Sequence, residues 1–265
     1  MSVAEIDGAK VAYRVEGKGP GLVLVHGTGG NGETNWAQVV DRLAECWTVV
    51  RPDYAGSGET IDDGGPLTVD ALSAQVVAAV EAAGVVPFDL VGFSLGAAVA
   101  IKIAADHPDK VRSVVLLAGF ASGDDPRLQF QFRLWRDLID RDREALARIV
   151  LLTGFSPAFL SGLSDDAIET AVQDIEAGNN WPGMARQIDL DLVADVRVEA
   201  ERIRRPTLVI GCTHDHMVPS AHAKALAQII PGATYAEIDS GHLAPLEKPD
   251  DLLDLIEPFL QKVVA

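Results

Sequence analysis

Cysteine is nearly absent. The two in 265 residues, Cys46 and Cys212, stand far apart and form neither a CxxC pair nor a Cys/His ligand spacing, which excludes a disulfide-stapled scaffold and a zinc site. Both read as small buried hydrophobes. Positive charge is also scarce: 22 Lys and Arg stand against 39 Asp and Glu, a formal charge of −17. A nucleic-acid backbone would meet repulsion instead of the basic surface that counterion release requires, so no nucleic-acid partner is expected, and polyanionic substrates are disfavoured. No apolar run approaches the roughly 18 residues of a membrane span. The first twenty residues, with Glu5, Asp7, Lys10, Arg14, Glu16 and Lys18, hold no apolar segment of the secretory kind. A cytoplasmic protein without a membrane partner is expected.

What is present is an ordinary globular balance of 48% apolar and 23% charged residues, over a length that supports a sizeable core. Short β-branched-rich apolar runs recur at 22–25, 48–50, 90–93, 114–117 and 207–210, and 233–238 reads as one more. Such runs fit strands buried on both faces of a parallel sheet. Between them lie stretches of helical spacing: Val69, Leu72, Val76, Val77 and Val80 before the third run, and Ala97 to Ala105 after it. This alternation predicts right-handed crossovers and an α/β fold with helices on both faces. Before the first run, 3–7 and 10–15 read as a hairpin turned by Asp7-Gly8.

The alternation stops between about Ala121 and Arg205. Leu128, Phe132, Trp135 and Ile139 lay an apolar stripe on one helix. Ser164 is placed to cap a second that ends near Gly178, and a third is expected from about Gly183 to Asp195. Residues 1–120 and 206–265 should therefore form the core, with 121–205 inserted as helices. The insertion's Phe130, Phe132, Trp135, Phe155, Phe159, Trp181 and Met184 are expected to pack it onto the core, with some lining a pocket.

The sharpest local signal is Gly92-Phe93-Ser94-Leu95-Gly96, set between the strand ending at Val91 and a helix beginning at Leu95. A serine on a strained strand-to-helix turn leaves no room for side chains two residues to either side, which gives both glycines a mechanical reason. A hydroxyl becomes a useful nucleophile only when a base takes its proton and a third group orients that base. Asp215, just past the run 207–210, and His242, just past 233–238, supply both in the chain order Ser, Asp, His. His26, beside Gly27, reads as a brace for its loop; His214, His216 and His222 read as structural or solvated, and no metal-ligand pattern joins them.

The chain resembles the α/β-hydrolase superfamily over nearly its whole length. The resemblance rests on His26-Gly27-Thr28-Gly29-Gly30, Asp53-Tyr54-Ala55-Gly56-Ser57-Gly58, the serine turn, Gly211 to Pro219, and Ser240-Gly241-His242. It implies an eight-stranded, mainly parallel sheet with a helical cap inserted after the sixth strand, and acyl chemistry without cofactor or metal. Ser94 would be the nucleophile, His242 the general base and then acid, and Asp215 the orienter. The oxyanion donors would be the backbone N–H groups of Thr28 and Leu95. Two positions depart from the family pattern: Ala55 stands where an arginine is usual, and Phe93 where a histidine is common before the serine. Phe93, Phe132, Trp135, Trp181 and Met217 are the expected pocket residues.

The expected activity is hydrolysis of an ester, thioester or lactone of a small apolar or mixed molecule. The alternative is a non-hydrolytic reaction on the same three residues, such as elimination, acyl transfer or C–C cleavage. Fifteen Arg against seven Lys fit a GC-rich bacterial genome, where such enzymes serve secondary metabolism. A ligand sensor without activity would have no need of all three residues.

Overall fold

Residues 1–264 are described by a computed structural model. The chain opens with β1 (Ser2–Ile6) and β2 (Ala9–Glu16), joined by a tight turn in which Asp7 and Gly8 take φ values of 45° and 81°, the arrangement that matches hairpin twist. Then come β3 (Gly21–Val25), α1 (Ala37–Ala44), β4 (Thr48–Pro52), α2 (Val69–Ala82), β5 (Phe88–Phe93), α3 (Leu95–Asp106) and β6 (Val111–Leu117). Six helices follow without a strand: α4 (Pro126–Arg141), α5 (Arg143–Gly154), α6 (Pro157–Ser161), α7 (Asp165–Gly178), α8 (Trp181–Asp191) and α9 (Arg197–Arg202). The sheet resumes with β7 (Thr207–Cys212), α10 (Ser220–Ile229) and β8 (Thr234–Ile238), and the chain closes with α11 (Ala244–Glu247) and α12 (Pro249–Val264).

The eight strands lie in the order β1-β2-β4-β3-β5-β6-β7-β8, with only the β1–β2 and β2–β4 pairs antiparallel. Period-two alternation divides the core. Val23, Val25, Leu90, Val114, Leu116 and Val209 face the side of α2, α3, α9 and α10, whereas Leu22, Leu24, Val91, Val115, Leu117 and Ile210 face α1 and α12. That explains why the central strands read as unbroken apolar runs. The edges are treated differently: β1 and β8 are half exposed along their length, as strands with one uncovered flank are.

The topology fixes where chemistry can sit. From β3 the chain moves outward to β4, then crosses back to β5 on the opposite side of β3. The carboxyl ends of β3 and β5 are thus a switch point, where connecting loops diverge and leave a crevice. Residues 26–30 and Ser94 lie at those ends.

Three of the six helices between β6 and β7, α4, α7 and α8, answer to the helices expected there, and α5, α6 and α9 are not among those expected. Leu128, Phe132, Trp135 and Ile139 are buried on α4, and the Ser164 hydroxyl accepts the Ala167 N–H at 3.2 Å to cap α7. The third expected helix is α8; it starts at Trp181 and stops at Asp191, because 192–195 turn away to form an isolated bridge between Asp195 and Ser122. Two expectations are corrected. Phe130 is 74% exposed on the outer side of α4, since the buried stripe runs through positions 128, 132, 135 and 139. Cys46 is exposed, in the turn between α1 and β4, while Cys212 is buried at the end of β7.

Candidate active site

Ser94 ends β5 and begins α3 with φ 55° and ψ −121°, a conformation that non-glycine residues rarely adopt. The surroundings hold it there. A Cβ on Gly96 would strike the carbonyl oxygens of Val25 and His26, and one on Gly92 would lie 2.7 Å from the Cβ of Ala100. Ala97, Ala98 and Ala100 are buried, so α3 lies close over the sheet. The strained turn lifts the hydroxyl out of the strand and places it at the amino end of α3, whose dipole favours negative charge.

Asp215 follows β7 and is 6% exposed. Its Oδ1 accepts the N–H groups of Met217 (2.8 Å) and Val218 (2.7 Å), and its Oδ2 lies 2.7 Å from His242 Nδ1. With both oxygens engaged, the carboxylate is fixed. Its contact assigns the proton of the neutral imidazole to Nδ1 and leaves Nε2 as the acceptor. Phe93 packs beside the imidazole, ring centroids 5.0 Å apart.

Ser94 and His242 line one cavity of about 360 Å³ and make no direct hydrogen bond across it; such contacts commonly tighten when substrate binds. Phe93, Phe132, Trp135, Trp181 and Met217 all line this cavity, as does Thr28. Leu95 does not: its side chain is fully buried, and only its backbone adjoins Ser94. Neither the Thr28 nor the Leu95 N–H has a partner among the described residues, so both are free to donate. The walls are mainly apolar, with Asn31, Asn35, Gln131 and Asn179 among their polar residues, and Asp174 is the one acidic side chain among the described residues that line them. No Lys or Arg among the described residues lines the cavity.

The other histidines lie outside it. His26 is buried, stacks on Tyr54 at 3.8 Å and bonds through Nδ1 to Gly27 O at 2.9 Å. Burial holds its pKa below the ordinary value, outweighing the Gly27 hydrogen bond and the charge of Asp53. His214 pairs with Asp239 at 2.9 Å on the surface, His216 is exposed, and His222 lies 4.0 Å from Asp125. No group of three metal-ligating side chains occurs among the described residues.

Three buried polar side chains were not visible to motif reasoning. Glu247, on α11, accepts the N–H of Ser156 (2.8 Å) and of Gly241 (3.1 Å) through one oxygen. It ties the loop carrying His242 to the end of α5, where Leu243 N–H also donates to Gly154 O at 2.9 Å. Glu247→Ala would strand two buried N–H groups at a cost of about 3 kcal/mol. We expect a clearly lower urea midpoint at unchanged slope; an unaltered midpoint would show that the carboxylate does not hold this corner. The other two, Gln187 and Asp191, reach from α8 to the loop after β3, with Gln187 Oε1 accepting the Gly29 N–H (2.8 Å) and Asp191 Oδ2 the Thr28 hydroxyl (2.6 Å).

Residues 20–249 match the family model described as alpha/beta hydrolase fold. The chain is 56% identical over 260 residues to a pyrrolizixenacetamide deacetylase of Xenorhabdus hominickii, with 98% of each chain covered. Among solved structures it is similar to the enol-lactonase from Burkholderia xenovorans LB400, with a TM-score of 0.87 and 27% identity over 98% of this chain and 99% of that one. A hydrolase from Pseudomonas aeruginosa PA01 gives a TM-score of 0.86 and 28% identity, over 98% and 97%. With its eight-stranded sheet, its serine turn and these likenesses, the chain belongs to the alpha/beta hydrolase fold family.

Proposed function

We propose that this hydrolase removes a short acyl group from a small, uncharged, largely apolar molecule, with Ser94, His242 and Asp215 as its catalytic triad. The observation that carries the proposal is the convergence on one cavity of a strained serine and a histidine whose Nδ1 is held by a fixed carboxylate. Ser94 Oγ attacks the acyl carbon while its proton passes to His242 Nε2. The Thr28 and Leu95 N–H groups receive the developing oxyanion. His242 then gives the proton to the departing amine or alcohol, leaving acyl-Ser94. Water attacks that ester, its proton returns through His242, and the acid leaves with Ser94 restored. The helices of 121–205 act as the cap over this chemistry, contributing Phe132, Trp135 and Trp181 to the pocket wall.

Two observations support the substrate class. A 56%-identical relative is named as a deacetylase of an acetamide, which adds an amide to the esters, thioesters and lactones that the sequence suggests. Among the described residues the cavity wall also lacks Lys and Arg, so a substrate carboxylate entering it would lose water without gaining a cationic partner. The test is a panel of N-acetyl heterocyclic amides and p-nitrophenyl esters, each with and without a distal carboxylate. Release of acetate from the neutral compounds, about a hundredfold faster than from charged counterparts, is expected. Preference for the carboxylates, or no acyl release from any neutral compound, would overturn the proposal.

A further inference from the structure

One face of α8 is built around the loop that carries Thr28. Gly183, Gln187 and Asp191 follow each other by four residues and so stand in a row along the helix. At the first position the helix backbone lies against Gly56, where a Cβ on Gly183 would strike the Gly56 carbonyl oxygen. At the second, Gln187 is fully buried and uses both ends of its amide: Oε1 accepts the Gly29 N–H at 2.8 Å and Nε2 donates to Ser57 Oγ at 2.7 Å. At the third, Asp191 is 1% exposed and its Oδ2 accepts the Thr28 hydroxyl at 2.6 Å, while its Oδ1 is buried without any partner. A carboxyl group in that setting is costly. Neither Gln187 nor Asp191 lines the cavity, so their positions are not accounted for by contact with substrate.

We propose that Gln187 and Asp191 are positioning residues for the oxyanion site, through which helix α8 holds the Thr28–Gly29 backbone in the place where the Thr28 N–H meets the substrate oxygen. This rests on the hydrolase reading above. It makes the seating of α8 a condition for transition-state stabilisation, because the hydrogen bonds that dock the helix are the same ones that fix the donor loop. Displacing such a loop by a fraction of an ångström weakens a donor that acts only on the transition state.

The chemistry of Asp191 adds a signature. Burial pushes its pKa up to about 8, against the smaller opposing effect of the Thr28 hydrogen bond. The carboxyl is therefore neutral at pH 7, and charge arises behind Thr28 only as pH climbs through about 8. The titratable groups around it carry no compensating charge. Tyr54, facing Asp191 from the loop after β4, is held protonated by burial and then by the Asp191 charge, and donates to His26 O at 2.9 Å; His26 beside it is held neutral. On α8 itself Arg186 is paired with Asp62, and on the adjoining α4 Arg136 is paired with Asp140 and Asp189. An ionised Asp191 would oppose the negative charge growing on the substrate oxygen.

The experiment uses the full chain and the variants Gln187→Leu, Asp191→Ala and Asp191→Asn. For each, kcat and KM on p-nitrophenyl acetate are measured across the neutral to alkaline range, and hydrogen exchange is followed at residues 28–30. Gln187→Leu and Asp191→Ala are expected to lower kcat by about 10- to 100-fold with little change in KM, and to speed amide exchange in the 28–30 segment alone. Asp191→Asn, which keeps an oxygen for Thr28, is expected to recover most of the loss. It should also lack the decline in kcat that the wild type shows as pH rises through about 8. Wild-type kcat and unchanged exchange in Gln187→Leu, or an alkaline decline that persists in Asp191→Asn, would overturn the proposal. A wild type that releases acetate from neither p-nitrophenyl acetate nor the neutral N-acetyl amides would instead overturn the hydrolase reading, and the exchange measurement would still decide whether α8 holds the loop.

Discussion

Replacing Ser94 by alanine is expected to leave a folded protein that has lost acyl turnover by about 10⁴- to 10⁶-fold. That range follows from serine hydrolases in which removal of the nucleophile leaves only substrate binding and the oxyanion donors to act. The substitution removes one oxygen from the cavity wall and breaks no hydrogen bond among the described residues, since the Ser94 side chain makes none there. The backbone contacts that hold the turn, Ser94 N–H to Leu117 O at 3.0 Å and Ala97 N–H to Ser94 O at 2.8 Å, are retained. Thermal unfolding should therefore coincide with wild type within a few degrees. Loss of activity with an intact melting profile assigns the chemistry to the hydroxyl, and an unchanged rate in the pure variant would remove Ser94 from the mechanism.

Asp215→Asn should be nearly as damaging, about 10⁴-fold in kcat, by the reasoning that applies to other Ser-His-Asp enzymes. The geometry gives the cause. Oδ1 bonds the Met217 and Val218 N–H groups, so an asparagine keeps its carbonyl oxygen there and turns its amide nitrogen toward His242. The amide donates where the carboxylate accepted, which forces the proton of the imidazole onto Nε2. That nitrogen can then no longer take the proton of Ser94. Because the two backbone donors remain satisfied, stability should change little. Steady-state kinetics beside a melting curve tests both parts; near-wild-type turnover would mean that another group orients His242.

The frame of the sheet was legible because buried parallel strands write themselves as short apolar runs, and each run from 22–25 to 207–210 lies within a strand that is longer by one to three residues. The extensions are where sequence pattern is silent: β6 reaches back to Val111 through Arg112, whose charge is answered only in three dimensions by Asp89 at 2.6 Å. The serine turn, Asp215 and His242 were legible because each sits in a short motif at a strand end. Gln187, Asp191 and Glu247 were not, since a polar residue inside a helix reads as solvent-facing until its burial is known. Each of them bonds a backbone group or hydroxyl at least six residues away in the chain. Helices such as α1 and α12 also escaped the reading, although α12 carries an apolar stripe of Leu252, Leu253, Ile256 and Leu260 that packs against the sheet. For Cys46 and Phe130 residue type misled, because exposure is decided by the side of the chain a residue falls on and not by its hydrophobicity alone.

The acyl-serine intermediate is the point on which the account stands, and it can be observed directly. Wild-type protein turning over p-nitrophenyl acetate would be quenched in acid, digested and analysed by mass spectrometry for acetylated peptides. The mechanism predicts a single acetyl group on the hydroxyl of Ser94, present only while substrate remains and absent from Ser94→Ala. Substrate consumed by the wild type with no acetyl group on Ser94, or with one on another residue, would contradict it.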